Sequence, residues 1–86
     1  MLPQLTKITI AGSPEAYALR AGLRQIGAIA RRGNDRQWLA IAGIGKAARR
    51  IGVFPRKLDA MKAVTEDSRR RIERLVNEFR QHNELQ

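Results

Sequence analysis

Apolar and polar positions alternate in some stretches of this chain and recur with helical spacing in others. Leu5-Thr6-Lys7-Ile8-Thr9-Ile10 alternates and is β-branched, which predicts a short N-terminal strand ending before Gly12. Ser13-Pro14-Glu15 reads as a helix start, with a Ser cap, Pro at the first helical position and an acid facing the positive helix end. Leu19, Leu23, Ile26 and Ala30 follow at steps of four, three and four, predicting one apolar helix stripe with Arg20, Arg24 and Arg31 along its margins. Gly33-Asn34-Asp35 is the clearest break. Two readings meet there. In one, Asn34 or Asp35 caps a second helix through Trp38, Leu39 and Ala42; in the other, residues 28–42 form a β-hairpin.

The last third is more regular. Leu58, Met61, Thr65, Ser68, Ile72, Leu75 and Phe79 advance by three and four alternately, a heptad-like seam that predicts either one helix over about residues 55–83 or a break at Thr65, which would cap a separate final helix. Val76 widens the later stripe. Ile72, Leu75, Val76 and Phe79 are therefore assigned either to the chain's own core or to a dimer interface. So long an amphipathic terminal helix exceeds what a small core needs, and a homodimer is the expected assembly.

Eighty-six residues suffice for a single domain spanning 1–86. Charge changes the picture more than size does. The formal net charge is +9, and its distribution is uneven. Lys7 and Glu15 cancel in residues 1–15, and six basic residues meet six acidic ones in residues 59–86. Residues 16–58 carry ten cations against Asp35 alone, and eight of the ten are arginines. Segregated positive charge points to a polyanion, nucleic acid above all, because phosphate contacts release condensed counterions.

Residues 44–62, from Ile44-Gly45-Lys46-Ala47-Ala48-Arg49-Arg50-Ile51-Gly52 to Met61-Lys62, resemble the helix-turn-helix of small bacterial DNA-binding regulators. In that resemblance Ala48 sits where two helices cross, Gly52 occupies the turn and Pro55 opens the recognition helix. Phe54 departs from it, standing where a Ser or Thr usually caps. The resemblance implies a mainly α fold, with a helix-turn-helix followed by the long C-terminal helix. It implies that Arg56, Lys57, Asp59 and Lys62 face bases in a major groove. Phosphates are then assigned to Arg31, Arg32, Arg36, Lys46, Arg49 and Arg50. The alternative is an α+β module, with the 28–42 hairpin, that binds RNA or an acidic protein.

Other chemistry finds little support. Gly43-x-Gly45-Lys46 has Ala40 where a phosphate-binding loop needs its first glycine. Trp38 could stack on a base, but its place beside Leu39 suits a core. Tyr17 also reads as a packing residue. There is no cysteine, and the single histidine, His82, has no second ligand at metal spacing. No metal, cofactor or catalytic set is expected, so a binding protein is predicted rather than an enzyme. Residues 1–10 lack the continuous apolar stretch of a secretion signal, and no run is long enough to span a membrane. A cytoplasmic, membrane-free protein is the expectation.

Overall fold

The computed structural model describes residues 3–33 and 36–84, with side chains through Gln81. Strands β1 (Gln4–Ile8), β2 (Glu15–Ala21), β3 (Arg24–Arg31), β4 (Trp38–Ala42) and β5 (Arg49–Phe54) form one antiparallel sheet in the order β1-β2-β3-β4-β5. Helix α1 (Lys57–Glu84) crosses one face, packing against β3, β4 and β5. The upper end of the sheet carries the β2–β3 turn and the β4–β5 loop. The lower end carries the β1–β2 and β3–β4 connections and the β5–α1 junction.

This α+β arrangement overturns the mainly α expectation. The predicted helix stripe Leu19, Leu23, Ile26, Ala30 is instead the hairpin β2–β3, turning at Gly22 and Leu23. Gly22, at φ +64°, supplies the left-handed residue that such a two-residue turn requires. Ser13-Pro14-Glu15 does not cap a helix; it leaves a β-turn in which the Ser13 amide donates to the Ile10 carbonyl at 3.1 Å. Of the two readings around Gly33, the hairpin is the one found, with Arg31 opposite Trp38 and Gly27 opposite Ala42. Asn34 and Asp35, proposed as helix caps, lie outside the described residues.

The segment that resembles a helix-turn-helix contains one 3₁₀ turn (Gly45–Ala47), the strand β5 and the first turns of α1. Arg49 to Phe54 is extended because it pairs along β4, from Ala42↔Arg49 to Trp38↔Phe54. Ladder bonds and the burial of Ile51 and Phe54 outweigh the modest helical preference of an alanine- and arginine-rich run.

The core lies between sheet and helix. Leu19, Ile26, Ile29, Trp38 and Ala40 meet Ala60, Met61 and Val64 there, with Leu5, Tyr17, Ile51 and Phe54 at the margins. Gly27 sits directly beneath the helix. A Cβ at this position would lie 2.3 Å from the Ile41 carbonyl oxygen and 2.7 Å from Val64 Cγ1. Gly27→Ala is therefore expected to cost about 1–3 kcal/mol by overpacking, although alanine suits a strand better than glycine does. A urea melt with an unshifted midpoint would show that the helix does not approach β3 this closely.

Candidate nucleic-acid interface

Strand alternation divides the sheet's side chains between two faces. Lys7, Glu15, Tyr17, Leu19, Gly27, Ile29, Arg31, Trp38, Ala40 and Phe54 share the helix side through their cross-strand pairing. The opposite face has no element packed on it among the described residues. Its rows follow from the same register. One is Ile8, Ala16, Ala30, Leu39 and Val53; the next is Thr6, Ala18, Ala28, Ile41 and Arg50; Gln4, Arg20 and Gln25 lie above.

Four alanines form the middle of this face and are buried, with Ala16 and Ala30 almost fully so. They are sunk between Thr6 and Ile8 on one side and Leu39 and Ile41 on the other. The result is a shallow apolar trough, with Arg20 above it on β2 and Arg50 at its β5 edge. Among the described residues no carboxylate stands on the face. The only acid in the described strands, Glu15, points to the helix side, and Asp59, Glu66, Asp67, Glu73 and Glu78 all belong to α1.

The six residues assigned to phosphates divide between the two ends of the sheet. Lys46, Arg49 and Arg50 are at the upper end; Arg31, Arg32 and Arg36 are at the lower. Arg50 is exposed on the open face, and Lys46 is exposed in the 3₁₀ turn. Arg49 turns to the helix side and pairs with Asp67 Oδ1 at 2.5 Å, tying β5 to α1. Arg31 also faces the helix side; it is half-buried, and its Nε is enclosed. Arg32 and Arg36 are exposed around the β3–β4 loop. Arg20, which was not singled out for phosphate, joins Arg50 on the open face, where its Nη2 donates to the Leu23 carbonyl at 3.3 Å. Strand alternation along β2 is the signal that places it there, and a helical reading of residues 15–21 hides it.

The four residues assigned to base reading do not form a recognition surface. Lys57 is half-buried, its ammonium 4.1 Å from the Tyr17 ring centroid, 5.7 Å from that of Trp38 and 4.0 Å from Glu15 Oε2. Cation–π attraction and the carboxylate fix it as a packing element where α1 begins. Arg56 is exposed and 3.7 Å from Asp59 Oδ2, while Lys62 points outward on α1. Half-buried Tyr17 and buried Trp38 stack at 6.3 Å between centroids, on the helix side of the sheet. Donation to Glu15 raises the Tyr17 pKa above its ordinary value of 10.0, and burial and the adjacent carboxylate charge act in the same direction. A raised pKa favours the fold while the phenol is protonated. That contribution is complete below the unfolded tyrosine's pKa and is lost as pH rises through the folded one.

No helix among the described residues is long and apolar enough to cross a membrane. No protein-family model, curated protein or solved structure matches the chain.

Proposed function

We propose that this protein binds RNA, holding a single-stranded segment across the open face of its sheet. The observation that carries this reading is the acid-free face itself, with Arg20 and Arg50 bordering a trough of small apolar side chains. Phosphates meet the two guanidiniums, which suit them through a planar fork of donors. Sugars and base edges lie on the alanines, which let a backbone come close.

Dimensions favour a single strand over duplex DNA. Strands about 4.8 Å apart make a five-stranded face roughly 19 Å wide, whereas a B-DNA major groove is about 12 Å wide. The sheet cannot enter the groove, and the first turn of α1, held by Lys57 on two rings, is not presented to one. Tyr17, Trp38 and Phe54 are all on the other side, so base stacking on the sheet contributes little. Affinity then rests on phosphate contacts, is tolerant of sequence and is steeply salt-dependent.

Fluorescence anisotropy with a short single-stranded RNA and with duplex DNA, each across a salt series, tests this. RNA should bind more tightly, with affinity falling as salt rises. Equal or tighter binding to the duplex, or affinity indifferent to salt, would overturn the proposal; the second result would favour an acidic protein partner. Neighbouring arginines sharpen the test. Arg50→Ala should reduce the salt slope by about 0.7, the value for one phosphate contact on a single strand. Arg49→Ala should leave the slope unchanged and lower stability by no more than about 1 kcal/mol, because its partner is Asp67.

A further inference from the structure

Beyond the sheet, α1 continues with its apolar stripe uncovered. Ile72, Leu75, Val76 and Phe79 are 48%, 61%, 43% and 66% exposed, although the same seam is buried lower down at Met61. Where the helix leaves the upper end, Ser68, Ile72 and Leu75 form one wall of a cleft whose other wall includes Ile26, Ile44 and Ala47. Ile44 is itself half-exposed.

We infer that a second copy of this chain covers the stripe, with the two α1 helices antiparallel and their two-fold axis passing between Glu73 and Arg74. Charge selects this register. In an antiparallel pair the seam residues form mixed layers, here Ile72 against the partner's Leu75 and Ser68 against the partner's Phe79. The same alignment puts Arg71 beside the partner's Glu78, and twofold symmetry repeats the pair. Moving the axis half a heptad toward the C-terminus would instead set Glu78 against the partner's Glu78. Moving it the other way would demand Met61, which the sheet already covers. In the selected register the partner's Phe79 enters the cleft opposite Ser68 and rests on Ile26, Ile44 and Ala47. Both copies do this reciprocally.

The chain's charge distribution agrees with a second copy as occupant. Residues 59–86 hold equal numbers of acids and bases, so two such helices meet without net repulsion. Most of the excess positive charge, which belongs to residues 16–58, stays outside the contact; of its cations, Arg24 lines the cleft. A lipid surface would instead call for a polar face dominated by cations; here Glu66, Glu73 and Glu78 alternate with the arginines.

Sedimentation equilibrium of the full chain tests the assembly, and a charge swap tests the register. The mass should be twice the chain's 9.7 kDa. Phe79→Glu should give a monomer with an unchanged circular dichroism spectrum. Glu78→Arg should weaken the dimer about tenfold, since two favourable pairs become repulsive, and Arg71→Glu combined with Glu78→Arg should restore it. A wild-type monomer at every concentration overturns the inference. So does a dimer indifferent to Glu78→Arg, or a chain that remains monomeric but sediments with anionic vesicles.

Discussion

Trp38→Ala should leave the protein on the edge of unfolding at room temperature. The indole is 8% exposed, belongs to the cluster containing Leu19, Ile29, Met61 and Val64, stacks on Tyr17 and lies near the Lys57 ammonium. Truncating a buried tryptophan costs about 3–5 kcal/mol through lost transfer energy and the cavity left behind. A chain of this size has a total stability of roughly 4–13 kcal/mol, so this one side chain represents a large share. The melting temperature should fall by about 20 °C or more. Trp38→Phe, which keeps a ring over the same site, should lose much less. Trp38 is the chain's sole tryptophan, so its emission reports the fold directly: shifted to the blue when native, to the red on unfolding. Added RNA should leave that emission almost unchanged, because the indole is on the helix side. Strong quenching by RNA would move the binding surface to the other face, and wild-type stability in Trp38→Ala would remove the indole from the core.

The largest expected effect on binding comes from reversing both open-face cations. Arg20→Glu/Arg50→Glu replaces two guanidiniums bordering the trough with two carboxylates, on a face that otherwise carries none among the described residues. Two phosphate contacts are lost and two repulsions are gained. RNA affinity should drop at least about a hundredfold at moderate salt. Both positions are on the solvent side of the sheet, so the melting temperature should change little. Reversal of Arg32 and Arg36, at the far end about 20 Å away along the strands, provides the comparison. If that pair mattered as much as Arg20 and Arg50, the RNA path would run over the lower edge.

Parts of this architecture are legible in the sequence. The alternation of Leu5 to Ile10 marks β1, and the seam from Leu58 marks α1 within a few residues of its bounds. Gly33 marks the β3–β4 turn. β2 and β3 are hidden because their polarity barely alternates: alanines occupy the open face where a solvent-exposed strand usually carries polar groups. With Ala16, Ala18, Ala28 and Ala30 as apolar as the core they back onto, the two-residue period disappears. Spacings of three and four among Leu19, Leu23, Ile26 and Ala30 then look helical, although Leu23 is at the fully exposed tip of a turn. The helix-turn-helix likeness arises in a related way, from small residues and glycines that serve a strand pairing instead. Of the candidate site only a region, residues 16–58, is marked in the sequence, because charge segregation does not depend on secondary structure. Its residues are not. Which neighbour of the Arg49-Arg50 pair faces the solvent is decided by strand register, and register needs the partner strand.

The sheet's strict meander order also bears on how the chain reaches its fold. Every strand pairs only with its neighbours in sequence, and the connections between elements are two to six residues long. No strand has to be inserted between two already formed, and closing each short loop costs little chain entropy. Hairpins β2–β3, β3–β4 and β4–β5 can each form locally and extend edge by edge. Docking of α1 onto β4 then closes the core, joined to β5 through residues 55 and 56 alone. Folding should therefore be faster than in sheets of similar size whose strands come together from distant parts of the chain.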